Sequence, residues 1–167
     1  MHEPERDAAP TIRPAEADDL AAIAEMLARL AHHLKPGFVP LADLASLTRF
    51  GPTGLRLFDG LIAMRGDRPV GLCLYTYAFS SWRGRPGVFV QDLYVDPSER
   101  GSGLGRALME AALAREAPNG CTFAKLEVHR GNDAAIAFYR RLGFEVEDDY
   151  YTMAAETGGE GAARPPA

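Results

Sequence analysis

A chain of 167 residues, 47% of them hydrophobic, holds enough apolar material for one ordinary core and too little for two well-buried domains. Its 18 basic and 23 acidic residues leave a net charge of -5, the wrong balance for a general phosphate-backbone binder, so nucleic acid is not an expected partner. No apolar run approaches the roughly 20 residues of a bilayer-spanning helix, and the first ten residues are charged rather than signal-like.

Residues 1–10 read as a flexible leader. Thr11, Ile12 and Arg13 start a short strand, and the acidic stretch 14–19 then opens a helix on which Leu20, Ile23, Leu27, Leu30 and Leu34 recur at helical spacing. Pro36 and Gly37 end it, and 41–50 forms a short second helix before Gly51 and Pro52. Strand signals follow at 57–65, at 70–79 and at 88–95, with a hairpin turn at Gly66-Asp67 and a loop carrying Trp82. Successive strands without intervening helices predict an antiparallel meander. Cys73 and Cys121 sit in or beside apolar runs and read as small buried hydrophobes, which fits a reduced, cytoplasmic protein.

After Pro97 the pattern changes to a glycine-rich loop, a helix over 104–117, a strand over 123–128 and a helix over 133–142 stopped by Gly143. One or two closing strands are expected over 144–153, and the Gly-, Ala- and Pro-rich stretch 155–167 reads as a disordered tail. The expectation is therefore a single α/β domain over 11–154, with a mixed, mainly antiparallel sheet flanked by helices.

The sharpest local feature is Arg100-Gly101-Ser102-Gly103-Leu104-Gly105-Arg106, set between a strand and an amphipathic helix. Glycines let such a turn tighten and approach a ligand, and the first amides of the following helix, at the positive end of its dipole, form an anion cradle. Arg100 and Arg106 can add charge-assisted bonds to phosphate. A ligand-free connection and a dinucleotide turn compete with this reading. A Rossmann turn wants a small residue where Arg106 stands, and it opens a first βαβ unit rather than following a meander, although Glu127 lies at a tolerable distance for a ribose contact. A Walker loop fails because no Gly-Lys-Ser/Thr follows.

The run from Arg100 to Gly105 resembles the R/Q-x-x-G-x-G/A signature of the GNAT N-acetyltransferase superfamily. The run from Asn132 to Phe144, with Ala135, Tyr139 and Gly143 at the matching places, looks like the same family's N-x-x-A-x-x-x-Y-x-x-x-G-F segment. The stretch from Phe79 to Gly87, followed by Gln91-Asp92-Leu93-Tyr94-Val95, is similar to the diamine (spermidine/spermine-type) and thialysine acetyltransferase branch. Together the similarity covers nearly all of 11–153.

That resemblance implies a GNAT fold, acetyl-CoA as co-substrate without a metal, and an amine acceptor such as a polyamine or a lysine-like amino acid. It further implies a homodimer. Another acceptor (an aminoglycoside, an amino acid or a protein N-terminus) and a non-catalytic acyl-CoA-binding module are the alternatives. The coenzyme is expected on the backbone of Leu93, Tyr94 and Val95, on Arg100, Gly101, Ser102, Gly103, Leu104, Gly105 and Arg106, and on Asn132, Ala135 and Tyr139.

Acyl transfer from a thioester requires the amine to lose a proton, the carbonyl to be polarised and the thiolate to be protonated. Tyr139 is the general-acid candidate, because a phenol with a reference pKa of about 10 remains protonated at neutral pH. Its other reading is a core aromatic beside Phe138, and Asn132 reads equally as a helix N-cap. At Gln91 the diamine branch typically carries Glu; glutamine accepts no proton and can only orient a water or the amine. Regular alternation points Asp92 away from Gln91, and a bulge would re-aim it. Glu127, His32, His33 and His129 are further conceivable bases. Trp82 is placed to line the acceptor site by cation–π contact or to pack its own loop, and Glu145, Glu147, Asp148 and Asp149 form an acidic run.

Overall fold

The computed structural model describes residues 9–147, 152, 153 and 155. They divide between two compact units, Met1–Glu127 and Val128–Ala167.

The first unit is built on a five-stranded sheet in the order β1-β2-β3-β4-β5. Its strands are β1 (Thr11–Pro14), β2 (Asp59–Arg65), β3 (Arg68–Ser80), β4 (Arg85–Val95) and β5 (Ala124–Leu126). β2, β3 and β4 pair antiparallel in succession, as the meander predicts; β1 also pairs antiparallel, with β2, and β5 runs parallel to β4. The sheet is thus mixed and mainly antiparallel.

Helices cover both faces. On one side lie α1 (Leu20–Leu34) and α2 (Leu44–Phe50), whose Leu20, Ile23, Met26, Leu27 and Leu47 form one buried cluster with Ile62, Leu72, Leu74 and Tyr94 of the sheet. Helical spacing in α1 puts Leu20, Ile23 and Leu27 on one buried stripe, and burying each such side chain contributes about 1.5–3 kcal/mol, while Leu34 at the end of the helix stays exposed. Asp43 caps α2 by accepting from the Ser46 amide at 2.8 Å. On the opposite side lies α3 (Leu104–Glu116). It approaches β3 closely at Gly71, where a Cβ would stand 2.9 Å from Leu108 Cδ1 and 3.3 Å from Leu104 Cδ2.

A buried polar knot ties α3 to the sheet. Glu116, 1% exposed, accepts from the Tyr75 hydroxyl at 2.6 Å, the Tyr77 hydroxyl at 2.9 Å and Asn119 Nδ2 at 2.7 Å. Arg115 bridges Glu116 and the buried Asp59, both at 3.2 Å. Burial alone would raise Glu116, yet the donors and the Arg115 charge outweigh it and hold the carboxyl below its usual range. The same surroundings push the Tyr77 phenol up to about 12, by burial first and then by the bond to Glu116. Cys73 is buried and Cys121 half-buried, and both are free thiols.

In the second unit Asn132 opens α4 (Asp133–Arg141), its Oδ1 accepting from the Ala135 amide at 3.1 Å. Gly143 follows the helix at φ +88°, the left-handed stop expected of it. The strands expected over 144–153 do not form at the described positions 144–147, 152 and 153. Phe144, Glu145, Val146 and Glu147 do alternate in polarity, but alternation makes a strand only where a neighbour completes the ladder. Positions 148–151, the leader over 1–8 and nearly all of the tail lie outside the described residues.

Candidate active site

At the end of β4, Asp96 donates its amide to the Val70 carbonyl at 2.9 Å and caps the short 3-10 turn Pro97–Glu99 through the Ser98 amide at 3.0 Å. The chain then enters the glycine turn. Gly101 and Gly103 take φ +79° and +89°, a conformation that a residue with a Cβ adopts only under strain. Among the described residues nothing lies within 4 Å of the position of a Cβ on either glycine, so both open toward free space. Gly103 stands at the N-cap of α3 and has no side chain to cap it, so the Leu104 amide makes only a long bond of 3.4 Å to Ser102 Oγ, whereas α2 and α4 are capped by Asp43 and Asn132. The next amides of α3, those of Gly105 and Arg106, follow an open turn at the positive end of a helix, a donor set that suits a pyrophosphate.

The side chains of the turn play roles that differ from simple phosphate clamps. Ser102 Oγ donates to the Glu99 carbonyl at 2.7 Å and so braces the turn from within. The Arg106 guanidinium lies 3.2 Å from Glu110 along α3, and Arg100 Nε donates to the Val95 carbonyl at 3.3 Å. Leu104 is 5% exposed and belongs to the core, leaving its backbone to face the turn.

Behind the turn stands an ion-pair network not anticipated from the sequence. Arg65 grips Glu99 by two bonds of 2.7 Å, from Nε to Oε1 and from Nη2 to Oε2. Arg68 lies 3.5 Å from Glu99 and 3.7 Å from Asp96, and Arg29 lies 3.6 Å from Asp96. The bond from Arg65 holds the Glu99 carboxyl below its ordinary range, and the bonds from Ser98 do the same for Asp96. A buried carboxylate immediately before Arg100 was the available signal, but its arginine partner lies 34 positions away in sequence.

The remaining candidate residues of this unit lie on or beside β4. Its parallel ladder with β5 runs from Val88–Ala124 to Val90–Leu126 and stops, so Gln91, Asp92, Leu93, Tyr94 and Val95 continue without a β5 partner. Toward β3 the register pairs Tyr75 with Val90 and Leu74 with Asp92, which makes Gln91 the extra residue of a β-bulge. Val90 shares the α3 face with Tyr75, whereas Asp92 shares the α1 face with Leu74 and Tyr94. The strand is therefore not regular at this point, and the bulge sets Asp92 on the α1 face.

Gln91 is exposed and Asp92 half-buried. Asp92 makes no hydrogen bond or ion pair among the described residues, and burial raises its carboxyl above the ordinary range. The Cys73 thiol is pushed up to about 12 by burial and by the Asp92 charge. Trp82 sits in the β3–β4 turn, 92% exposed and clear of the sheet. Glu127 is exposed, as are His32 and His33 in the last turn of α1.

In the second unit Tyr139 is half-buried on α4, its ring edge-on to Phe138 at 5.1 Å and to Phe144 at 5.8 Å. Asn132 is occupied as the N-cap, with the Ala135 amide its donor. His129 is exposed and accepts at Nδ1 from the Gly131 amide at 3.1 Å.

The family model for the acetyltransferase (GNAT) family matches residues 27–144. A thialysine N-epsilon-acetyltransferase of Bos taurus is 33% identical over 79 residues, 47% of this chain and 46% of that protein. A mycothiol acetyltransferase of Nocardioides sp. is 35% identical over 131 residues, 73% of this chain and 44% of that protein. The chain spans about half the length of these curated relatives. Among solved structures, that of a possible acetyltransferase from Clostridium difficile 630 superimposes with a TM-score of 0.72 at 26% identity, covering 91% of this chain and 100% of that one.

Proposed function

Since this chain belongs to the acetyltransferase (GNAT) family, we propose that it transfers the acetyl group of acetyl-CoA directly to the primary amine of a small molecule, a polyamine or a lysine-like amino acid. The observation that carries the reading is the glycine turn at the start of α3, where Gly101 and Gly103 hold left-handed conformations and open toward free space. Two glycines so placed admit the pyrophosphate to the amides of Gly105 and Arg106, and to that of Leu104 in exchange for its long bond to Ser102 Oγ. The free edge of Leu93, Tyr94 and Val95 supplies backbone groups for the pantetheine arm, in the way a strand accepts an added neighbour.

With both substrates held together no covalent enzyme intermediate is needed, because positioning supplies much of the acceleration. The amine nitrogen bonds to the thioester carbon, the carbon–sulfur bond breaks, and the sulfur takes the electron pair and a proton from the Tyr139 hydroxyl. Asn132 and Ala135 are coenzyme contacts in this reading, and Trp82, Gln91 and Asp92 meet the acceptor. Two half-exposed or exposed acids near one another would favour a cationic acceptor, but here Gln91 replaces one of them, which shifts preference from long polycations toward a single amine. The protein works in the cytoplasm as a homodimer, for which the exposed Phe79 and Trp82 of the β3–β4 hairpin offer contact surface.

The test is release of free coenzyme A from acetyl-CoA in the presence of thialysine, lysine, spermidine, glycine and an aminoglycoside. Turnover greatest with the terminal amine of thialysine or lysine is the expected result. Preference for the α-amine of glycine defeats the acceptor assignment, and the absence of transfer to any amine while coenzyme A binds leaves a binding module.

A further inference from the structure

The reaction needs a proton acceptor, and Gln91 cannot be one. Among the described residues, most buried or half-buried carboxylates of the first unit are already engaged. Asp19 is paired with Arg13 at two bonds, Asp59 with Arg56 and Arg115, Asp96 with Ser98 and two arginines, Glu99 with Arg65, and Glu116 with Tyr75, Tyr77 and Asn119. Asp92 differs: it is half-buried and no described residue donates to it. The bulge at Gln91 turns it onto the α1 face, in the stretch of β4 that continues beyond the end of the β5 ladder at Val90.

We propose that Asp92 is the catalytic base, taking a proton from the cationic amine as the nitrogen attacks the thioester. The inference rests on the acetyl-transfer reading and adds to it the atom that receives the proton. Asp92 takes one ammonium proton, which frees the lone pair that attacks the thioester carbon. A second proton leaves the nitrogen as the carbon–sulfur bond breaks and, through solvent, replaces the one Tyr139 gives to sulfur. The products are the amide, coenzyme A thiol and the proton that Asp92 holds as its carboxylic acid until solvent takes it. Burial, which raises the carboxyl above its ordinary range, improves it as an acceptor near neutral pH. The absence of an arginine or lysine partner matters for the same reason, since a fixed cation would depress its basicity.

The experiment compares the wild-type chain with Asp92→Asn and Asp92→Glu on two acceptors at pH 7. One is thialysine, a cation at that pH; the other is its aminooxy counterpart, whose terminal nitrogen is already neutral. Removing a general base costs about 10²–10⁴-fold in rate, so Asp92→Asn is expected to lose about that much kcat on thialysine while keeping most of its rate on the aminooxy compound. Asp92→Glu keeps a carboxylate and should recover part of the thialysine rate. Coenzyme A binding by calorimetry, unchanged in both variants, shows that they fold. Equal losses on the two acceptors would make Asp92 a binding group and overturn the base assignment, as would an Asp92→Asn variant with wild-type turnover; in both cases acetyl transfer itself stands. A wild-type protein that acetylates neither compound overturns the acceptor reading and this one together.

Discussion

Replacing Gly103 with alanine tests the phosphate cradle most directly. The residue sits at φ +89° and ψ -2° at the N-cap of α3, and no described atom lies within 4 Å of the new methyl group. The methyl therefore meets no clash, and the whole perturbation is conformational. Holding an L-residue there costs about 1–2 kcal/mol. For a chain of this size each kcal/mol lowers the melting temperature by about 2–4 °C, so a drop of about 2–8 °C is expected. Relief of the strain swings the peptides that flank residue 103 and turns an α3 amide away from the turn. Losing one hydrogen bond to a charged acceptor, about 1.5–3 kcal/mol, weakens coenzyme A binding about 10- to 150-fold. Gly37→Ala is the matched control, because Gly37 has φ +87°, equally open surroundings and a place beyond α1 rather than in the glycine turn. It should melt as low as Gly103→Ala yet bind coenzyme A like the wild type in calorimetry. If the two variants bind coenzyme A equally well, the turn is not the cradle.

Tyr139→Phe removes a hydroxyl and leaves both ring contacts, with Phe138 and Phe144, in place. Turnover should fall about 100-fold or more while coenzyme A affinity and melting stay near wild type; undiminished steady-state rates would assign the thiolate proton to solvent. Glu116→Leu strips four partners from a buried site and should destabilise the fold by about 3–5 kcal/mol in urea unfolding, and a loss below about 1 kcal/mol would mean that the knot is not a stability element. Glu99 is held below its unfolded value by Arg65, so its contribution is present at neutral pH and is lost as pH falls through the lowered range. Glu99→Gln should flatten the acid limb of a melting-temperature profile, and an unchanged limb refutes the linkage. Asp92 carries the opposite sign: its carboxyl is raised by burial, so the stability of its protonated form is lost as pH rises from the ordinary carboxylate range through the raised one, and Asp92→Asn should melt at or above the wild type at pH 7.

Most of the fold was legible because it is written in short-range patterns. The α1 stripe, the meander of β2, β3 and β4, and the stop at Gly143 each depend on spacing or on one residue's dihedral preference. The glycine turn was legible for the same reason, since Gly101 and Gly103 announce left-handed backbone before a helix. What escaped depends on register and on distant partners. Strand β5 is half the length expected, because Glu127 and Val128 have no ladder to join once pairing with β4 ends at Val90. The Arg65–Glu99 clamp joins two residues 34 positions apart, and nothing local distinguishes Arg65 from an ordinary hairpin arginine. The bulge at Gln91 is a decision about which of two adjacent residues stays unpaired, and it reverses the side on which every later residue of β4 falls.

That one-residue slip links the sheet to the chemistry. Without it, Asp92 would fall on the face of Val90 and Tyr75, under α3, where Glu116 and Asp59 already place two carboxylates. A third acid there would meet like charge and no further donor, a placement that costs several kcal/mol in a dry interior. The bulge instead carries Asp92 to the α1 face and at the same point lets Leu93 and Val95 take the α3 face beside Cys73 and Gly71. The core on both sides keeps its apolar filling, and one carboxylate is left half-buried and unpaired at the margin of the free edge. The fold tolerates that exposed cost at Asp92 while it satisfies the acids around it, the pattern of a residue kept for its reactivity rather than for its contribution to stability.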